Sequence, residues 1–121
     1  MTINEFLQKF RRVRHGMNVV RPRVICTDGF TVSVQAGMGV YSIPREDADH
    51  YEAVELGYPS AADEQLTPYA ETPESPTGTV YGYVPVALVD SVMEKHGGIV
   101  GVDYSNDHAG LWKEDKNEAD T

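Results

Sequence analysis

A chain of 121 residues with 40% apolar and 24% charged residues has the size and balance of one globular domain, not of a disordered segment. Its single cysteine, Cys26, excludes an intrachain disulfide and a zinc site built on several thiolates, which points to a reducing cytosol. No apolar run approaches the ~20 residues that span a bilayer, and a net charge of −9 disfavours long nucleic acids and anionic membranes.

Thr2 and Glu5 have the spacing of a capping box. Ile3, Phe6, Leu7, Phe10 and Val13 then recur at helical spacing, so residues 3–14 are expected to form an amphipathic helix ended by Gly16. Arg21 to Gly37 reads as a β-hairpin. Asp28-Gly29 predicts a two-residue type I′ turn, and Phe30, Val32, Val34 and Ala36 then alternate with Thr31, Ser33 and Gln35. Gly37 to His50 is loop-like. Tyr51 to Tyr58 is a third expected strand with Val54, Leu56 and Tyr58 on one face, and Ser60 with Asp63 predicts a short capped helix through Leu66.

Pro68, Pro73, Pro76 and Gly78 make residues 67–78 a loop. Thr79 to Val84 is a strand, Pro85 suits the first turn of a helix stopped by Gly97-Gly98, and Ile99 to Val102 is a fifth strand. Strand, helix and strand in that order predict a right-handed βαβ crossover. The expected fold is α+β: a compact single ligand-binding domain over residues 1–112 with a mixed β-sheet, a β-hairpin and two main helices. A flexible acidic tail is expected over 113–121.

Catalytic signals are sparse. Cys26 lies within a strand and reads as a buried, inert thiol. His15, His50, His96 and His108 lack the spacing that lets two imidazoles share a metal, and no phosphate-binding glycine motif is present. Glu46, Asp47, Asp49 and Glu52 form an acidic cluster around His50. No catalytic residue, metal site or cofactor is expected, and the chain reads as a non-enzyme.

Binding chemistry is better supplied. Residues 1–23 carry six basic side chains against one acid (+5), and the remainder carries four against eighteen (−14). Such a segment can hold a small anion, or pair with acidic surface on the same or a neighbouring chain. Arg21 and Arg23, two apart on an extended segment, are expected to project from one face as two forks suited to phosphate. Thr31, Ser33 and Gln35 present polar groups that fit ribose or a base edge, or simply solvent. Tyr81 and Tyr83 are expected to share a strand face, in the core or lining a site.

Several runs together resemble a known family: Arg21-Pro22-Arg23-Val24-Ile25-Cys26-Thr27-Asp28-Gly29-Phe30 and onward to Ala36, Tyr41-Ser42-Ile43-Pro44-Arg45-Glu46, Tyr51 to Ser60, Thr79-Val80-Tyr81-Gly82-Tyr83-Val84-Pro85, and His96-Gly97-Gly98-Ile99. In this order, over residues 3–100, the chain resembles the first-described family of phage Thoeris anti-defence proteins. The resemblance implies a non-catalytic sponge that binds cyclic ADP-ribose isomers, and in some members cyclic trinucleotides, and releases them intact. It implies a homo-oligomer, from dimer to hexamer, with ligand held where subunits meet, in the cytoplasm of the infected bacterial host. It makes Arg21 and Arg23 phosphate binders, adds Arg45 to the ligand-binding set, and makes Phe30, Gln35, Tyr41 and Tyr81 the contacts to base and ribose. The family also uses residues near the C-terminus; here Val100 to Trp112 contains no lysine or arginine.

Two other functions compete: an acidic protein-interaction module that blocks a host factor, and a small hydrolase or lyase built on the His50 cluster. Charge reversal at Arg21 or Arg23 is expected to weaken anion binding at least about tenfold without unfolding the chain, since forked arginine contacts are strong ones.

Overall fold

The computed structural model describes residues 1–14 and 18–105. The expected tail at 113–121 lies outside the described residues, as do His15, Gly16 and His108.

Helix α1 spans Ile3–Lys9 and opens on the capping box: Thr2 Oγ1 accepts from the Glu5 amide at 3.2 Å, and Glu5 Oε1 accepts from the Thr2 amide at 2.7 Å. It buries Ile3, Phe6 and Leu7. It ends at Phe10, short of the expected residue 14, because Arg12–Arg14 (β1) instead pairs antiparallel with Asn18–Val20 (β2). The helical period had run through Val13, but a β-branched residue serves a strand as well, and Val13 here lies opposite Val19.

Strands β3 (Arg23–Cys26) and β4 (Thr31–Gln35) form the expected hairpin. The turn differs. The Gly29 amide donates to Cys26 O at 3.0 Å and the Cys26 amide to Phe30 O at 2.8 Å. Gly29, with φ +93°, is the only left-handed residue of Thr27-Asp28-Gly29, so this is a three-residue loop closed by a glycine bulge, not type I′. Asp28 Oδ1 accepting from the Phe30 amide at 2.9 Å holds that geometry.

Strand β5 (Ala53–Gly57) pairs with β4, and β6 (Val80–Pro85) pairs with β5. Helix α2 follows at Val86–Lys95, with Pro85 at its N-cap and Gly97-Gly98 at its end, and leads to β7 (Ile99–Asp103). The five strands lie in the order β6-β5-β4-β3-β7, and every registered pair is antiparallel. The α+β class, the hairpin and the two helices stand as expected. The sheet is antiparallel rather than mixed, because β6 and β7 run the same way at opposite edges and never become neighbours.

Both helices pack on one sheet face. Ile3, Phe6 and Leu7 of α1 and Val89, Val92 and Met93 of α2 join Val24, Val32, Val34, Val54, Leu56, Tyr81 and Val84 in one core. Removing that apolar area from water, at roughly 25 cal/mol per Å2, is what holds the two layers together. No helix among the described residues is long and apolar enough to cross a membrane.

Two further expectations fail locally. Val54 and Leu56 are buried, but Tyr58 is not on their face: β5 stops at Gly57, and Tyr58 turns outward at φ +50°. Residues 60–66 form turns instead of a helix, with a short 3-10 helix at Thr67–Tyr69. Ser60 Oγ accepts from Thr31 N at 2.9 Å rather than capping a helix.

Candidate functional site

The sheet face away from the helices is polar. On β4 the period of two sends Val32 and Val34 inward and leaves Thr31, Ser33 and Gln35 half-buried on this face. Ser33 lies opposite Gly57, Gln35 opposite Glu55, and Asp103 of β7 opposite Arg23. Over one end of β4 the β1–β2 ribbon and the loop after β4 form a hollow of about 400 Å3, lined by Val19, Val20, Ser33, Gln35, Met38, Gly39 and Val40.

Gln35 acts first on its own chain. Its Oε1 accepts from Arg21 N and its Nε2 donates to Arg21 O, both at 2.9 Å, so a side-chain amide replaces the ladder that β3 does not extend that far. Nε2 also lies 3.1 Å from Ser33 Oγ. Beside the hollow, Arg45 Nε donates to Val40 O at 3.0 Å, and its guanidinium stands 5.3 Å from the centroid of the Tyr41 ring. Tyr41, 43% exposed, lies 5.6 Å from the ring of Tyr83, which is 42% exposed.

Arg23 lies along the same face. Its Nε donates to Thr31 Oγ1 at 3.0 Å, and its Nη2 to Thr31 O at 3.3 Å and to Tyr58 O. Partial burial pulls its pKa down, opposed by Asp103.

The three other candidates lie elsewhere. Arg21 is fully buried: its Nε donates to Leu7 O at 3.0 Å and its Nη1 to Ala36 O at 2.5 Å, while Nη2 has no hydrogen-bond partner among the described residues. Desolvation drives its pKa down to about 10, with the Tyr51 phenol offsetting part of the effect. It does not project beside Arg23, because residues 21–22 precede β3 and the alternation of an extended strand does not govern them. Tyr81 is buried on the core side and donates to Pro76 O at 2.5 Å. Phe30 is buried at the hairpin turn, five residues and ~17 Å of strand from Gln35. Its ring stacks on His96 at 4.0 Å and 5°.

Tyr81 and Tyr83 do not share a face. The β5–β6 register shifts between Val54 and Leu56, setting Glu55 against both Gly82 and Tyr83, and the extra residue puts Tyr83 outside at φ +53°. A bulky residue held there costs on the order of 1–3 kcal/mol. The sequence placed Tyr83 only on Tyr81's face, in the core or lining a site, and did not single out Glu55, because strict alternation hides a bulge; Gly82 inside a strand pattern was the available signal.

Among the described residues no three His, Cys, Asp or Glu side chains gather as a metal site. Cys26 is buried against Met93 Sδ at 3.5 Å, as expected, and burial raises its pKa. His50 Nε2 lies 3.4 Å from Glu52 on the surface. Asp28 Oδ2 and His96 Nδ1, 2.7 Å apart, have the form of an oriented general base. His96 Nε2, however, faces Asp63 Oδ2 at 3.8 Å, a carboxylate with no proton to give to a base, rather than a hydroxyl or thiol.

No family model matches the chain, and neither does any curated protein or solved structure. The resemblance to the Thoeris anti-defence family therefore stands on the residues quoted for it.

Proposed function

We propose that this chain is a non-catalytic binding protein that sequesters a cyclic ADP-ribose isomer and so blocks Thoeris immunity, with cyclic trinucleotides as a second ligand class. The observation that carries the proposal is a largely apolar hollow on the sheet face that the helices leave open, with Ser33 and Gln35 in its lining and Arg45, over the Tyr41 ring, bonded to Val40 at its edge. A cation and aromatic rings beside hydrogen-bonding groups suit reversible capture of an anion that carries bases. Arg23 adds a second cation to this face, with its guanidinium on Thr31 and Tyr58 toward the other end of β4. Arg21 serves the fold, not the ligand.

Sequestration of a scarce signal needs nanomolar affinity, about −12 kcal/mol. An open hollow of about 400 Å3 encloses too little of such a ligand by itself. Met38, Tyr41, Ile43 and Tyr83 form an exposed apolar rim that a second subunit can cover, which fits a ligand shared within a homo-oligomer.

The test is to incubate the protein with cyclic ADP-ribose isomers, chromatograph the solution, then heat it and chromatograph again. Depletion followed by release of intact ligand is the expected result. Altered ligand means an enzyme, and no depletion leaves the protein-interaction module. That alternative draws on the hollow of about 510 Å3 beside α2, whose lining includes the carboxylates of Glu52 and Asp90.

A further inference from the structure

We infer that Tyr83 is a stacking platform for a planar ring of the bound ligand, an inference that rests on the nucleotide-binding function proposed above. Its position is over-determined by its neighbours. The Tyr83 amide donates to Tyr41 O at 3.0 Å, and the Tyr41 amide donates to Glu55 Oε1 at 3.1 Å, so the loop after β4, strand β5 and the bulge are tied together.

In the common glycine-type bulge the left-handed residue is the glycine itself. Here the glycine comes one residue earlier. A Cβ on Gly82 would sit 3.3 Å from Tyr41 Cβ, so Gly82 is spent on the approach of the Tyr41 ring and Tyr83 takes the left-handed conformation instead. The result is a pair of exposed rings tilted by 41°. Arg45 stands over Tyr41, which leaves Tyr83 as the ring without a cation over it among the described residues. The ligand chemistry that fits is a nucleobase joined to an anionic group, with the base on Tyr83 and the anion reaching Arg45.

Calorimetry with cyclic ADP-ribose isomers and cyclic trinucleotides, on wild type, Tyr83→Phe, Tyr83→Leu and Tyr83→Gly, tests the assignment. Glycine accepts the left-handed backbone without strain, so Tyr83→Gly keeps the bulge while removing the ring, and a melting curve checks that it folds. Binding is expected to weaken at least about tenfold in Tyr83→Gly and Tyr83→Leu, which is about 1.4 kcal/mol. Tyr83→Phe should stay within about threefold of wild type, because stacking needs the ring and not the hydroxyl. Wild-type affinity in Tyr83→Gly, or equal losses in Tyr83→Phe and Tyr83→Leu, would overturn the platform and leave the proposed function standing. Wild-type protein that binds none of these ligands overturns both.

Discussion

Arg21 and Tyr83 are paired cases of one effect at the residue scale. Counting by twos along an extended segment put Arg21 beside Arg23 and Tyr83 beside Tyr81. In each pair the chain breaks the count, once before a strand begins and once at a bulge. Arg21 ends inside the core, where its guanidinium donates to two main-chain carbonyls. Arg21→Ala leaves both acceptors buried without a donor, at ~1–3 kcal/mol each. Urea unfolding should therefore show a loss of about 3 kcal/mol or more, and a loss below ~1 kcal/mol would contradict the role. Charge reversal at Arg21 is expected to unfold the chain, unlike the sequence-based expectation. Arg23 is half-exposed, so losing its bonds to Thr31 and Tyr58 costs less: Arg23→Ala should weaken ligand binding and lower the unfolding midpoint less than Arg21→Ala does.

At the scale of elements, the clearest tie is where the hairpin turn, residues 60–66 and the end of α2 meet. Asp28 Oδ2 lies 2.7 Å from His96 Nδ1, and Asp63 Oδ2 lies 2.6 Å from Lys95 Nζ. The His96 hydrogen bond holds the Asp28 carboxyl below its usual range, helped by the Phe30 amide. Burial alone would push Asp63 up, but hydrogen bonds from Lys95 and the Gln65 amide outweigh it and the pKa falls. A carboxylate with a depressed folded-state pKa contributes stability that is present above its unfolded value and lost as pH falls through the folded one. The melting temperature should thus decline below about pH 4, starting near the unfolded carboxylate value. In Asp28→Asn with Asp63→Asn that decline should be shallower, and an unchanged acid limb would assign it to other carboxylates. None of this tie was legible beforehand except its parts. The Asp28-Gly29 turn and the Gly97-Gly98 stop could be read from residue type, whereas their meeting with Asp63 depends on how the sheet brings three distant segments together.

For the whole molecule, composition and periodicity were enough for the class: one core, two helices, and a hairpin whose alternating residues sort inward and outward as expected. Strand order was not legible, since local patterns do not tell which strands are neighbours, and a strand–helix–strand order fits either a parallel pair or two opposite edges. The site was half legible. Gln35 lines the hollow and Arg45 with Tyr41 lies beside it, while Phe30 and Tyr81 went into the core by the same aromatic character that made them candidates, and Arg21 was drawn in by main-chain carbonyls that its fork satisfies. The apolar rim at Met38, Tyr41, Ile43 and Tyr83 carries an expectation of assembly. Light scattering should give two to six times the chain mass of 13.4 kDa. Ile43→Glu should shift that mass downward, and a strictly monomeric wild type would remove the shared-site part of the proposal.

The route of α2 has a mechanical corollary. Outer strands of a sheet ordinarily fray one at a time, but here a ten-residue helix is strapped between the two outermost ones. Peeling either rim loosens the strap and with it the opposite rim. Amide protons of Val80–Pro85 and Ile99–Asp103 should consequently exchange with deuterium as one cooperative unit, although the whole width of the sheet separates them.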